Sequence, residues 1–128
     1  MIVGIGTDMV EIARIADALD RHGNRFRQRV LTEAEQRVFG SVDAEARWFA
    51  KRYAAKEAVA KAFGTGIGAQ LSFQDIVVGR EESGRPVLSF QGNGVALSRH
   101  FGVMHAHLSL TDEREFALAF VVLEGGLP

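Results

Sequence analysis

Apolar and polar positions recur along this chain with different periods, and the period predicts which segments are strands and which are helices. Residues 1–6 carry a compact apolar run, Ile2, Val3 and Ile5, separated by Gly4 and Gly6, which let another backbone come close. The pattern predicts a short, buried, central strand. Ile12, Ile15, Ala16 and Leu19 then recur at helical spacing, with Thr7 or Asp8 available as the cap and His22-Gly23 as the stop. A short second helix over 25–30 follows, and Thr32-Glu33-Ala34-Glu35 has the capping-box pattern that opens a third, through Val38 and Phe39. After an acidic, turn-like segment at 40–45 comes a long helix, which Gly64 stops in the turn AFGTGIG.

The second half is richer in strands. Residues 71–78 read as a strand, Glu82-Ser83-Gly84-Arg85 as a hairpin turn and 86–90 as the returning strand. A helix over about 95–101 lies between glycines. His105, His107 and Ser109 then alternate with Ala106, Leu108 and Leu110, residues 111–114 turn, and 116–123 return. Runs of strands and runs of helices, rather than strict alternation, predict an α+β fold. The expected architecture is a single domain, 1–128, with a largely antiparallel sheet packed against one long helix and several short ones.

The long helix is the element on which candidate chemistry concentrates. On a wheel of about 100° per residue, Ala50, Ala54, Glu57, Lys61 and Gly64 share one stripe, while Trp48, Ala55, Val59, Ala62 and Phe63 gather opposite. One face is expected to be core. The other is lined by small residues and carries a carboxylate and an ammonium one turn apart. That pair is either a solvated i,i+4 ion pair, worth ~0.3–0.5 kcal/mol, or the wall of a ligand site.

Composition narrows the classes. Hydrophobic residues make up 47% and charged residues 24% of the 128-residue chain, the balance of a folded globular protein. With no cysteine, disulfides, thiolate catalysis and thiolate zinc sites are excluded, in agreement with a reducing, cytoplasmic setting. No stretch approaches the ~18–20 consecutive apolar residues of a spanning helix, so no membrane association and no export are expected. A formal net charge of −1 argues against a nucleic-acid binder. The sign is uneven, however: Arg14, Arg21, Arg25, Arg27 and Arg29 cluster near the start, as a basic patch for an acidic partner or as a solvated helix surface.

Asp8, at the end of a rigid strand with little side-chain bulk around it, suits either a metal ligand or a helix cap. Glu57 supplies a second carboxylate. A hard cation such as Mg²⁺ takes one or two protein carboxylates and completes its shell with waters and substrate phosphates. Lys61 could neutralise such a phosphate, and the GTGIG turn could bring backbone N–H groups to it. The lysine precedes its glycines, which excludes the Walker A loop of an NTPase. His105 and His107 can project from one strand face, with no third nitrogen or sulfur ligand at helpful spacing.

Taken in order, GIGTDMVEIARI, FRQRVLTEAE, AKRYAAKEAVAKAFGTGIG, LSFQDIVV, the Gly84-Arg85-Pro86 turn and HLSLTDEREFALAFVVLE resemble the short-chain branch of the 4′-phosphopantetheinyl transferases. The resemblance covers nearly the whole chain. It implies transfer of the phosphopantetheine arm of coenzyme A to a serine of apo-acyl carrier protein, in support of fatty acid biosynthesis. By matching position it implies that Asp8 and Glu57 hold Mg²⁺, and that Lys61 sits on the pyrophosphate. Arg52 corresponds to an arginine associated with the nucleotide phosphates, and Gly64, Thr65, Gly66 and Ile67 to backbone lining the same ligand. Arg14, Arg21 and Arg25, with the apolar Phe26, are the implied carrier-protein contacts. A homotrimer with active sites between subunits is implied as well. Asp112 stands where some members have a histidine given a role in the site, so a histidine base there is excluded. The competing reading is a catalytically silent coenzyme A or nucleotide-binding module of the same fold.

Overall fold

The computed structural model describes residues 1–42 and 44–127. Strand β1 (Ile2–Glu11) passes without a break into helix α1 (Ile12–His22). Thr7 and Asp8 therefore lie inside the strand and cap nothing. Glu11 precedes the helix without a side-chain cap, and the Ile12 N–H donates to the Glu115 carbonyl at 2.8 Å. Gly23, at φ 49°, ends α1 and gives its N–H to Leu19 O at 2.9 Å. Helices α2 (Asn24–Val30) and α3 (Glu33–Phe39) follow. The expected capping box is present, with the Thr32 N–H donating to Glu35 Oε1 at 2.8 Å and the Glu35 N–H to Thr32 Oγ1 at 3.3 Å. The turn expected over 40–45 includes Asp43, outside the described residues.

Helix α4 (Glu45–Phe63) ends where the sequence places its stop, at a left-handed Gly64 with φ 80°. Residues 71–78 do not form the single strand expected. Phe73–Asp75 is a 3₁₀ turn, closed by the Ser72 N–H donating to Asp75 Oδ2 at 2.9 Å, and Leu71 and Phe73 point into the core around it. Strand β2 (Ile76–Arg80) then pairs antiparallel with β3 (Pro86–Phe90). Helix α5 (Asn93–His100) leads to the long hairpin β4 (Val103–Asp112) and β5 (Phe116–Gly125).

The main sheet has the order β1-β5-β4, antiparallel throughout, and β2-β3 forms a second small sheet. Strand β1 is therefore an edge, and β5 is the centre. Nor are the apolar residues at the start of β1 core: Ile2 and Ile5 are 63% and 61% exposed. The physical reason lies in the pleat, which sends alternate residues to opposite faces. Ala117, Ala119, Val121 and Leu123 of β5 are buried on the face that meets α4, and their cross-strand partners on β1 include Gly4, Gly6, Asp8 and Val10. The glycines must take the inner face because α4 lies almost on the backbone there. A Cβ built on Gly6 would come within 2.0 Å of Ala58 O, and one on Gly4 within 2.1 Å of Ala62 O. Ile5 and Met9 are thereby turned outward.

Helix α4 is buried on nearly every side rather than along one face, since Ala50, Ala54, Ala55, Ala58, Val59 and Ala60 are all inaccessible. Its small residues serve contact with the sheet. Phe49 packs between Phe26 and Phe39, with ring centroids 5.0 and 5.9 Å away, and each such fully buried side chain contributes ~1.5–3 kcal/mol. Lys56 is buried too. Its Nζ donates to Glu35 Oε1 and Val30 O, both at 2.6 Å, and to Phe73 O at 3.1 Å, while the Val78 N–H donates to Glu35 Oε2 at 2.7 Å. Burial lowers the Lys56 pKa, opposed by the Glu35 carboxylate. This cluster ties α2, α3, α4 and β2 together around one charge pair.

Candidate active site

The close approach of β1 to α4 assembles the candidate site. Asp8 follows Gly4 and Gly6 along the inner face of β1, so its carboxylate is carried to the helix. There Lys61 Nζ donates to Asp8 Oδ1 at 3.0 Å and to Thr7 O at 2.9 Å. Lys61 thus pairs across to the strand rather than back along the helix. Its side chain remains half exposed, whereas Asp8 is mostly enclosed.

Glu57, one turn earlier on α4, faces the same place. Asp8, Glu57, Arg14, Tyr53 and Phe26 line one cavity of about 370 Å³ between β1, α1, α2 and α4. Burial pushes the Glu57 pKa above its usual range and Asp8 adds to the effect, while Lys61 and the Tyr53 hydroxyl oppose it. Two carboxylates in one half-enclosed space repel each other, and a cation between them offsets that repulsion. Among the described residues no cluster of three or more His, Cys, Asp or Glu exists, so the protein supplies a carboxylate pair rather than a closed cage. That donor set fits Mg²⁺, which retains water and substrate oxygens.

The glycine turn does something other than the sequence led us to expect. The Gly64 N–H donates to Lys61 O at 3.0 Å, and the Thr65 and Gly66 N–H groups donate to Ala60 O at 3.1 and 3.2 Å. Gly68 donates to Leu71 O at 2.8 Å. The Gly64, Thr65 and Gly66 donors terminate α4 and are spent on it, while Gly68 closes the loop that follows. The positive φ of Gly64 and Gly66 requires glycine, and a Cβ on either would meet nothing within 4 Å, so the turn offers an open surface beside Lys61.

Arg52 is not in the Asp8–Glu57–Lys61 cluster. It lies five residues before Glu57, about 140° around the helix, and lines a separate cavity of about 330 Å³ with Glu35, Trp48, Val78 and Arg80. Its guanidinium stacks on Trp48 at 4.1 Å, its Nε is buried without a hydrogen-bond partner among the described residues, and burial pushes its pKa down to about 10.

The basic cluster extends outward from the Asp8 cavity. Arg14 and Phe26 line that cavity, and Phe26 also borders a neighbouring hollow with His22, Arg25 and Arg29. Arg21 lies on the exposed side of α1, paired with Asp17 at 3.1 Å. His105 and His107 share the outer sheet face, as expected, with rings 6.2 Å apart, and His107 Nε2 is 2.9 Å from Glu124 Oε1. Asp112 is held by Arg47 at 2.7 Å and Lys51 at 3.5 Å, which fasten the β4–β5 turn to the start of α4.

Sequence reasoning missed Tyr53, Lys56, Glu35 and Arg80. Tyr53 had a usable signal, because it precedes Glu57 by four residues and so stands over the same stripe of α4. Arg80 had none, since only tertiary packing brings it to Arg52.

An acidic pair, a lysine on one of its members and a second cavity lined by Arg52 and Arg80 are arranged around one helix. The chain belongs to the 4′-phosphopantetheinyl transferase superfamily, whose model matches residues 4–121. Within it, the chain is 47% identical over 123 residues to the holo-[acyl-carrier-protein] synthase of Vibrio parahaemolyticus, covering 96% of this chain and 98% of that protein. Its structure is similar to the crystal structure of holo-[acyl-carrier-protein] synthase from Neisseria meningitidis, with a TM-score of 0.92 and 40% identity over 97% of this chain and 99% of that one. The corresponding synthase from Bacillus anthracis, in complex with CoA (3′,5′-ADP), matches with a TM-score of 0.84 and 41% identity over 98% and 99% of the two chains.

Proposed function

We propose that this chain, acting as one transferase domain, moves the 4′-phosphopantetheine arm of coenzyme A to a serine hydroxyl of an apo-acyl carrier protein. Adenosine 3′,5′-bisphosphate leaves, and the holo-carrier serves fatty acid biosynthesis. The observation that carries this reading is the convergence of Asp8, Glu57 and Arg14 on one cavity, with Lys61 on Asp8, in a chain of this family. The silent-module alternative is disfavoured by the same convergence, because a binder without chemistry has no need of two carboxylates gathered in one cavity.

Asp8 and Glu57 would hold Mg²⁺. When bound, that ion would neutralise charge on the coenzyme A pyrophosphate and stabilise the charge that develops as the phosphoanhydride breaks. Displacement at phosphorus asks the protein mainly for positioning and charge neutralisation. Lys61 meets part of that demand, since its half-exposed ammonium can reach a phosphate oxygen while Asp8 keeps it on β1. The open turn from Gly64 to Ile67 lines the same ligand by its shape. Arg52, with Arg80 beside it, would take a nucleotide phosphate. Asp112 is engaged by Arg47 and Lys51, so the proton acceptor for the serine is assigned to Glu57 or to a water that the bound ion would order. Arg14, Arg21, Arg25 and Phe26 form a basic border with an apolar centre for the acidic carrier, and salt should weaken that docking.

The position of Arg52 on the far side of α4 favours a site shared between copies of the chain. The outer sheet face supports the same reading, since Ile5, Met9, Phe116 and Phe120 form an apolar surface at 61%, 60%, 37% and 40% exposure. Apolar area of this kind marks an interface, and a homotrimer is proposed to cover it.

The test is incubation with coenzyme A, Mg²⁺ and an apo-acyl carrier protein, followed by intact-mass measurement of the carrier. The expected result is gain of the phosphopantetheine mass with wild-type protein and none with Glu57→Gln. Coenzyme A binding without transfer to any carrier would instead support the silent module.

A further inference from the structure

The segment LSFQDIVV contains one element to which the proposed reaction gives no role: the 3₁₀ turn Phe73–Asp75. It meets the C-terminal end of α2, and α2 does not support itself. A helix of 7 residues is unstable in isolation. Gly23 gives it no side-chain cap, and Arg25 in its first turn opposes the helix dipole. Yet α2 carries Phe26, which lines both the Asp8 cavity and the hollow beside it, and Arg25 and Arg29, which border that hollow.

Other elements hold α2 in place. Phe26 packs on Phe49 and Tyr53, with ring centroids 5.0 and 6.2 Å away, and Val30 is fully buried. The last carbonyls of a helix have no partner within it, and here side chains from elsewhere supply the donors. Lys56 Nζ donates to Val30 O at 2.6 Å, and Gln36 Nε2 to Leu31 O at 3.1 Å. Gln74 Nε2 donates to two of them, Gln28 O and, at 2.6 Å, Leu31 O.

The turn that carries Gln74 is fixed from its other side. The Gln91 N–H donates to Asp75 O at 2.9 Å, Gln91 Nε2 to Gln74 O at 2.7 Å, and the Asn93 N–H to Asp75 Oδ1 at 3.3 Å. Glycine admits this approach, since a Cβ on Gly92 would lie 2.5 Å from Asp75 Oδ1 and one on Gly94 2.6 Å from Asp75 O. Gln74 therefore reaches α2 from a braced turn. Its neighbour Phe73 carries the Arg29 guanidinium over its ring at 5.7 Å.

We infer that Gln74 is a positioning residue for the carrier protein: its amide bridges Gln28 O and Leu31 O and so seats α2 with Arg25, Phe26 and Arg29 presented together. This rests on the reading of α2 as part of the carrier-docking surface. A neutral amide holds the carbonyls without altering the charge that an acidic carrier meets. Losing one ordinary hydrogen bond shifts an equilibrium by roughly 2–10-fold, and carrier affinity falls with the fraction of α2 that is correctly seated.

The experiment measures steady-state transfer with the apo-carrier and coenzyme A varied in turn, for wild type, Gln74→Met and Arg25→Glu, together with amide hydrogen exchange and thermal unfolding of each. Methionine matches glutamine in length and adds no charge, but has no donor. Gln74→Met is expected to raise KM for the carrier by about 10-fold, with kcat and KM for coenzyme A unchanged. Its Arg27 and Leu31 amides, which bond within and just after α2, should exchange faster, while those of α4 keep their wild-type rates. The salt dependence of the carrier KM should stay as in wild type for Gln74→Met and weaken for Arg25→Glu. An unchanged carrier KM in Gln74→Met, with a raised one in Arg25→Glu, overturns the role of Gln74 and leaves the docking surface standing. Loss of the fold, or a lowered Tm with both KM values raised alike, reduces Gln74 to a structural residue and overturns the inference. An unchanged carrier KM in Arg25→Glu overturns the docking reading and the inference with it.

Discussion

Gly6→Ala tests the contact that builds the site. The added Cβ would stand 2.0 Å from Ala58 O and 2.8 Å from Ala62 N, against a practical limit of 3.0 Å for such contacts. Relief requires β1 and α4 to separate by at least 3.0 − 2.0 = 1.0 Å. Both obstacles are helix backbone, so no side-chain rotation relieves them. Overpacking of this kind costs about 1–3 kcal/mol, and at roughly 4 °C per kcal/mol for a domain of this size Tm should fall by about 4–12 °C. The functional loss should be larger than the stability loss suggests. Asp8 is two residues along the strand from Gly6, so the same movement stretches the 3.0 Å Lys61–Asp8 bond toward 4 Å and pulls the two carboxylates apart. A misplacement of about 1 Å in a positioned site can cost on the order of 10²-fold in rate. The assay pairs differential scanning calorimetry with the carrier-modification rate measured well below Tm. Gly40→Ala is the control, since Gly40 has φ −70° and a Cβ there meets nothing within 4 Å among the described residues. A Gly6→Ala protein with wild-type Tm and wild-type rate would refute the argument that strand–helix distance sets the site.

Three further outcomes are expected. Lys56→Met should destabilise by about 3–5 kcal/mol in urea unfolding, because Glu35 is left as an unpaired buried charge. Adding Glu35→Met should not restore stability, since Glu35 also accepts the Thr32 and Val78 N–H groups at 2.8 and 2.7 Å; full recovery in the double variant would contradict this. Phe120→Glu, on the outer sheet face, should give a monomer in sedimentation velocity with loss of transfer activity, and an unchanged assembly would remove that face from the proposed trimer contact. The Arg47 hydrogen bond, with Lys51 also contributing, holds the Asp112 carboxyl below its ordinary value of 3.8. A depressed carboxylate pKa stabilises the fold above the unfolded value and is lost as pH falls through the folded one. The Tm difference between wild type and Asp112→Asn should therefore be constant from pH 7 to about 5 and shrink as pH falls below 4. A difference that grows in acid would invert the sign and reject the assignment.

Much of the fold is legible locally. The capping box at Thr32 and Glu35, the left-handed stop at Gly64 and the hairpin turn before Pro86 are satisfied by neighbours within a few residues, and each appears where its pattern predicts. The errors have a common source. Ile2, Val3 and Ile5 suggest a central strand because hydrophobicity reports a preference for burial without saying which face another element will occupy. Residues 71–78 are apolar enough for a strand, yet Ser72 and Asp75 close a turn with their own backbone. In the glycine turn, the last turn of α4 takes the N–H groups of Gly64, Thr65 and Gly66, which hydrophobic pattern alone does not show.

The sequence by itself determined the residue types of the site, the length and ends of α4, and, through its motifs, the family. Glu57 and Lys61 stand on one stripe of a helix because four residues make about one turn, which is a local fact. Tertiary structure alone decided what those residues meet. Lys61 binds Asp8 rather than Glu57, Lys56 is buried on Glu35, and Arg52 shares a second cavity with Arg80. Each of these depends on how closely two backbones approach and at what angle. That distance is set by Gly4 and Gly6 meeting the carbonyls of Ala62 and Ala58, a contact between segments more than fifty residues apart.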